Sequence, residues 1–187
     1  QPGALNLSID NFASNPIQGR GVLVDLYRHF GRERKAVDYD DLMMVMEKDG
    51  VVIEEGDILL LRTGFAEVIL EMNLAPDKAE LDKSCAALEG RDDRLLQWIT
   101  DSGIAAICAD NYAVENFLGQ GSDTPCSALP LHQHCLFKLG LPLAELWYFA
   151  DLATWMAENN RNRCFLTAPP LRLPKAVGSP ATPVATV

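Results

Sequence analysis

The sequence predicts an α/β protein whose sheet is flanked by helices, and three observations support that class. Aliphatic runs such as residues 58–61 are continuous rather than alternating, which is typical of strands covered on both faces. Amphipathic segments that begin with capping residues separate these runs. No stretch rich in Gly, Ser or Pro divides the chain, so we expect a single domain over residues 1–187.

The first elements are bounded by glycines and acidic residues. Residues 22–27 form a short apolar run after two glycines, which predicts a buried strand. Asp38 has the position of an N-cap, and the apolar residues after it share one face, so we predict a helix over residues 39–48. The aliphatic run at 58–61 follows a turn and is the next buried strand.

The second half of the chain continues the alternation of helices and strands. A helix is predicted over residues 92–102, with Gly103 as a left-handed cap at its end. The later predicted elements are a strand at 104–109, a helical stretch from Pro130 to Gly140, a helix at 151–159, a strand at 163–168 and an extended proline-rich tail.

Charge and hydropathy exclude two classes of partner. Sixteen basic residues against 26 acidic ones give a formal charge of −10, which repels a phosphate backbone, and no Lys/Arg cluster offsets it. The aliphatic runs never reach the roughly 18 apolar residues that a membrane helix needs. We therefore expect neither nucleic acid nor a membrane as a partner.

Cysteine usage predicts a reducing compartment. The five cysteines, at positions 85, 108, 126, 135 and 164, are odd in number and include no Cys-x-x-Cys pair. Free thiols of this kind are typical of cytoplasmic proteins, so we expect a cytoplasmic location.

Polar residues follow two of the predicted strands directly. Arg62 comes after the aliphatic run 58–61, and Asp110 and Asn111 come after the run 104–109. Ligands of open α/β sheets bind beyond the carboxyl ends of parallel strands, which makes these three residues candidates for binding a small-molecule substrate. Asp and Asn are also common turn and cap formers, and that alternative stays open.

Two histidines and one acid are candidate metal ligands. Positions two apart on a helix point roughly 200° from each other, so one of His132 and His134 is the better candidate. Glu145 stands among apolar and aromatic neighbours, where a carboxylate needs a cation or donors. The break at residues 140–142 would let the chain fold back, so that an imidazole and this carboxylate meet at one ion. A packed histidine and an exposed glutamate are the structural alternatives.

Several ordered segments together resemble the cyclase family, the metal-dependent hydrolases that include kynurenine formamidase and isatin hydrolase. The resemblance covers the chain from about residue 16 to its end. The segments are residues 19–25, which begin Gly-Arg-Gly, then 56–64, 105–115, 131–140 with Glu145, and 168–180.

The resemblance implies a mixed sheet with flanking helices in a swivelling β/β/α fold, and a homo-oligomer. It also implies hydrolysis of an amide, lactam or similar C–N bond by water activated on zinc or manganese. A late histidine and a glutamate after it are metal ligands in the family, and they map onto His132 and Glu145, with His134 as the alternative. The sequence assigns no catalytic residue.

One feature of the family is missing from the sequence. The early segment His-x-Gly-Thr-His-x-Asp, which supplies most of the metal ligands, has no counterpart between Gln1 and Gln18. The chain is then the C-terminal portion of a longer domain, or its ligand set has degenerated, or a second chain completes it. Without these ligands the metal is expected to bind weakly. The alternative function is a catalytically silent family member that binds a ligand or serves as a structural subunit.

Overall fold

A computed structural model describes residues 6–117 and 127–187 of the chain. Helices and strands alternate along most of this length. The strands are β1 Gln18–Asp25, β2 Lys35–Val37, β3 Ile58–Arg62, β4 Ala86–Leu88, β5 Ala106–Ala109, β6 Leu143–Ala144, β7 Arg163–Thr167 and β8 Val184–Thr186. The helices are α1 Asn11–Ser14, α2 Leu26–Phe30, α3 Tyr39–Lys48, α4 Phe65–Glu71, α5 Lys78–Leu81, α6 Asp93–Ser102, α7 Pro130–His132, which continues as a π-helix over Gln133–Leu139, and α8 Ala150–Glu158.

The chain divides into two compact units, with the division inside β1. The smaller unit comprises Gln1–Gly21 and Arg163–Val187, and in it β7 pairs with β8 in antiparallel orientation. In the larger unit, Val22–Asn162, the strands β6, β5, β3 and β1 lie side by side in that order. There β3 and β6 both run parallel to β5, and a separate parallel pair joins β2 and β4. Parallel and antiparallel pairs with flanking helices confirm the predicted α/β class.

The core of the larger unit explains the continuous apolar runs. Every residue from Ile58 to Leu61 is at most 1% exposed, so both faces of β3 are covered. Leu42 of α3 and Leu95 of α6 are fully buried in the same cluster as Leu61. A strand covered on both faces has no polar side to alternate with, which accounts for its sequence pattern.

Two helices begin and end within one residue of the positions that the sequence predicts. The Asp38 side chain accepts a hydrogen bond from the Asp41 backbone N–H at 2.9 Å, which caps α3. Asp92 caps α6 in the same way, and Gly103 follows that helix in the left-handed conformation at φ 65°. The predicted helices at 39–48 and 92–102 are therefore confirmed.

The strand predicted over residues 22–27 is wrong at both ends. The strand β1 begins earlier, at Gln18, and ends at Asp25. Leu26 starts α2 instead, because the Asp25 carboxylate accepts a hydrogen bond from the Arg28 backbone N–H at 3.0 Å and caps a helix there.

The helical stretch after Pro130 is also confirmed, although most of it is a π-helix. It ends at Gly140, which adopts a left-handed conformation at φ 69°, and the Leu141 backbone N–H donates to the Cys135 carbonyl at 2.8 Å. This cap reverses the chain direction toward β6, as the break at 140–142 predicts.

The cysteines that the structure describes are all buried: Cys85, Cys108, Cys135 and Cys164. Cys126 lies outside the described residues. Burial raises the pKa of the Cys108 thiol to about 12, which keeps it protonated. In the described ranges, no helix combines the length and the hydropathy of a membrane span.

We predict that Leu59→Ala lowers the free energy of unfolding by about 2–5 kcal/mol, because the deletion leaves a cavity in a fully buried strand. Leu70→Ala is the matched control, since Leu70 is 65% exposed, and it should change stability by less than about 0.5 kcal/mol. Urea unfolding of both variants measures this. Equal losses would contradict the burial of β3 on both faces.

Candidate metal centre

The fold brings His132 and Glu145 together. His132 ends α7, and its Nε2 lies 3.2 Å from Glu145 Oε1. The segment after Glu145 is attached to the carboxyl end of β5, where the Leu146 backbone N–H donates to the Asn111 carbonyl at 3.1 Å. The two side chains are 20% and 28% exposed, so the pair faces solvent at one side.

A second carboxylate lies on the other side of the imidazole. Glu115 is fully buried, and its Oε1 lies 2.8 Å from His132 Nδ1. The same oxygen accepts the His132 backbone N–H at 2.8 Å, and Oε2 accepts the Leu131 backbone N–H at 3.0 Å. Glu115 therefore holds both the ring and the first turn of the helix that carries it.

The close approach of Glu115 requires a glycine opposite it. A Cβ atom at Gly90 would lie 2.1 Å from Glu115 Oε2 and 3.0 Å from the Leu131 backbone nitrogen. No side chain fits at that distance without displacing the carboxylate. Gly90 thus contributes to the site because its lack of a side chain leaves room for the Glu115 carboxylate.

The two carboxylates determine the charge of the ring. The hydrogen bond to Glu115 is the largest influence on the pKa of His132, and Glu145 adds to it. Together they raise this pKa to about 9, although partial burial acts in the opposite direction. At neutral pH the ring is therefore protonated on both nitrogens and carries a positive charge, unless a cation replaces one of these protons.

His134 lies away from this pair. Its Nε2 is 2.8 Å from the Thr100 hydroxyl oxygen on α6. Burial and the nearby Lys138 ammonium lower the pKa of His134, the opposite of what happens at His132. The structure thus brings one of the two predicted histidines to Glu145 and pairs the other with a neighbouring helix.

The donor set fits part of a metal site. An imidazole nitrogen and a carboxylate oxygen are ordinary ligands of zinc and manganese, and a carboxylate behind the ring is the usual outer partner of such a histidine. A catalytic zinc ion needs about three protein ligands. In residues 6–117 and 127–187 no group of three or more His, Cys, Asp or Glu side chains is arranged to hold a metal ion.

Asp110 connects the ends of two strands. Its Oδ1 accepts the Thr63 backbone N–H at 2.7 Å and the Thr63 hydroxyl at 2.6 Å, while Oδ2 accepts the Gly64 backbone N–H at 2.8 Å. Burial raises the pKa of Asp110 to about 6, against the effect of these donors. A substrate would have to share these acceptors, and a substrate-binding role for Asp110 stays a prediction.

Asn111 and Arg62 are also engaged by neighbouring groups. The Asn111 amide donates to the Ala86 carbonyl at 3.1 Å, and its oxygen accepts the Val114 backbone N–H at 3.0 Å. Arg62 lies between Asp25 and Glu67, with nitrogen–oxygen distances of 2.9 and 2.7 Å. Both substrate-binding assignments stay predictions.

A largely apolar cavity of about 400 Å³ is lined in part by the residue that follows Glu145. Leu146, the residue after Glu145, forms part of its wall, and Tyr112 and Phe117 face each other edge-on with ring centroids 5.3 Å apart. Phe65 closes the wall on the α4 side. Sequence reasoning did not locate this cavity, because its lining residues come from five separate segments of the chain.

Glu115 was also missed by sequence reasoning. It follows β5 by several residues, outside any predicted element, and nothing in its neighbours marks it as buried. The one available signal was an acid shortly after a strand end that already carries Asp110 and Asn111.

Comparison with protein families decides the relationship. The family model named Cyclase matches residues 2–116, more than half of the chain. The chain belongs to the cyclase family. No curated protein matches it in sequence.

Solved structures agree with this cyclase assignment. A crystal structure of a novel cyclase is 31% identical, with a TM-score of 0.80, and the alignment covers 96% of this chain and 56% of that one. A structure described as a potential metal-dependent hydrolase with cyclase activity is 20% identical, with a TM-score of 0.60, over 91% of this chain and 66% of that one. Isatin hydrolase A from Labrenzia aggregata is 15% identical, with a TM-score of 0.67, over 96% and 65%. The last two show a shared fold. This cyclase-family chain spans between 56% and 66% of the length of these three structures.

We predict that Asp110→Asn destabilises the protein by about 1–3 kcal/mol at pH 8, well above the pKa of Asp110. The amide has one acceptor oxygen for three donors, so a buried N–H of Thr63 or Gly64 loses its partner. Denaturant unfolding measures the loss. Asp40→Asn is the control, because that carboxylate pairs with Arg94 at the surface, and an equal loss there would contradict the role given to Asp110.

Proposed function

We propose that this cyclase-family chain carries part of the metal site of a hydrolase that acts on an amide, lactam or similar C–N bond. The observation that carries the proposal is the arrangement around His132, whose Nε2 lies 3.2 Å from Glu145 Oε1 while Nδ1 is occupied by Glu115. A ring held in this way directs Nε2 toward one carboxylate, and the two groups would form the start of a ligand set once a cation replaces the proton on Nε2.

His132 and Glu145 would hold a divalent cation, zinc or manganese. When bound, such an ion lowers the pKa of its water toward about 7 and polarises the carbonyl of the substrate. The further ligands come from a longer form of the same domain or from a second chain. We propose that residues 1–187 form one cyclase-like domain that is the C-terminal portion of a longer one.

The cavity lined by Leu146 would take the apolar part of a small-molecule substrate. Tyr112, Phe117 and Phe65 offer ring faces and edges that suit a planar ring. The same cavity also has charged side chains in its lining, namely Arg34, Lys78 and Asp82. Leu146 follows Glu145 directly, so one short segment of backbone contributes both to the cavity wall and to the proposed metal site. We also propose that the protein is a homo-oligomer and that it is located in the cytoplasm.

The proposed metal site is tested by zinc titration of the full encoded protein against a chromophoric chelator. His132→Ala and Glu145→Ala should each weaken zinc binding at least about tenfold, because each removes one donor. His134→Ala is the matched control and should leave the affinity unchanged, since His134 pairs with Thr100. Hydrolysis of a panel of lactams and formamides should fall with the metal content.

Unchanged zinc affinity in both His132→Ala and Glu145→Ala would overturn the proposed function. Absence of bound zinc from the wild-type protein, together with no hydrolysis, would favour the catalytically silent alternative. Metal content by elemental analysis distinguishes these outcomes before any substrate is known.

We predict that Tyr112→Ala raises KM for an aromatic lactam about 5–30-fold with little change in kcat, because it removes apolar contact equally from substrate and transition state. Tyr148→Ala is the control, since Tyr148 has similar exposure, 49% against 52%, and is not part of the cavity wall. Steady-state kinetics measure both. A fall in kcat at constant KM would contradict a pure binding role.

A further inference from the structure

We propose that Glu115 is the positioning residue for His132, holding the ring in the tautomer that carries its proton on Nδ1 and aiming Nε2 at the cation. This inference rests on the proposed function of the His132–Glu145 pair. It predicts that changing Glu115 lowers metal affinity by more than the accompanying loss of folding stability can explain.

The contacts of Glu115 fix its position. The side chain is fully buried, and its two oxygens face three nitrogen donors: the Leu131 and His132 backbone N–H groups and the His132 ring. A buried carboxylate that loses donors is strongly destabilised, so the group cannot move away from them freely. Gly90 has no side chain that would displace the Glu115 carboxylate.

This fixed carboxylate selects one tautomer of the ring. A carboxylate only accepts hydrogen bonds, so the nitrogen 2.8 Å from it must carry the proton. In a neutral imidazole the other nitrogen, Nε2, then has the free lone pair. That nitrogen is the one that lies beside Glu145.

A purely structural role for Glu115 makes a different prediction. Two of its three hydrogen bonds cap the first turn of α7, and a capping residue affects stability whether or not a metal binds. The positioning role instead fixes the orientation and the tautomer of the His132 ring. The two roles are separated by comparing the zinc affinities of variants whose folding stabilities are similar.

Glu115→Gln is the informative variant, because it keeps the size of the side chain and one acceptor oxygen but removes the charge behind the ring. Asp57→Asn is the matched control: Asp57 is another buried acid that accepts a backbone N–H, from Glu54, and it precedes the amino end of β3. We expect zinc affinity of the full encoded protein to fall about 10–100-fold in Glu115→Gln and to stay unchanged in Asp57→Asn. Thermal unfolding of both variants in the absence of zinc gives the stability comparison.

The tautomer is measured directly in the wild-type protein, so the inference stays testable if Glu115→Gln does not fold. Long-range proton–nitrogen NMR of the zinc-loaded, nitrogen-15-labelled protein should show the His132 proton on Nδ1. A proton on Nε2 would overturn the inference.

The outcomes separate this inference from the proposed function. If zinc affinity falls in His132→Ala and Glu145→Ala but not in a folded Glu115→Gln, the proposed function holds and the positioning role fails. If none of the three variants changes zinc affinity, both fail. A loss in Glu115→Gln matched by an equal loss in Asp57→Asn reports general destabilisation and also overturns the positioning role.

Discussion

The site depends on a single buried carboxylate, that of Glu115, and the backbone around it explains why the carboxylate stays in place. The Leu88 backbone N–H donates to the Val114 carbonyl at 3.0 Å, and the Asn116 backbone N–H donates to the Leu88 carbonyl at 2.7 Å. The residues before and after Glu115 are thus both hydrogen-bonded to Leu88 at the end of β4. The first N–H groups of α7 donate to the Glu115 carboxylate. A helix whose first N–H groups donate to a fixed acceptor has a defined starting point. The position of His132, which lies in this first turn, is fixed in the same way.

The polar residues at the end of β5 position the site from its other side. Asp110 connects β5 to the Thr63–Gly64 turn, and Asn111 connects it to β4 and to the turn that leads to Glu115. The Asn111 carbonyl also accepts the Leu146 N–H, next to Glu145. Asn111 therefore contacts the residues next to both carboxylates, Val114 before Glu115 and Leu146 after Glu145. The substrate-binding roles of Asp110 and Asn111 stay predictions beside these structural contacts.

The sequence was sufficient wherever local chemistry determines structure. The caps Asp38 and Gly103 and the continuous apolar run of β3 each have a local cause, and each was predicted correctly. The end of β1 was missed because the Asp25 cap competes with an apolar continuation that favours a strand just as well.

The candidate site could be predicted only in part, for a related reason. The meeting of His132 and Glu145 follows from a chain break that can be recognised locally at Gly140. The burial of Glu115 follows from contacts with β4 and α7, which are distant in sequence, and from a glycine at position 90 that has meaning only once the carboxylate faces it. Long-range packing of this kind leaves no periodic pattern in the sequence.

Charge balance is the physical argument for placing a cation at His132 and Glu145, the two donors of the proposed site. Glu115 and Glu145 flank one imidazole, and their hydrogen bonds raise the pKa of His132 to about 9. At neutral pH the ring is therefore an imidazolium with one proton on each nitrogen. A divalent ion held by His132 would replace the proton on Nε2, and it would bring one more positive charge than that proton does. The buried carboxylate of Glu115 would keep its hydrogen bond to Nδ1, and Glu145 would offer an oxygen to the ion. In the proposed site, further ligands would therefore add coordination number and affinity to a charge pattern that these two carboxylates provide.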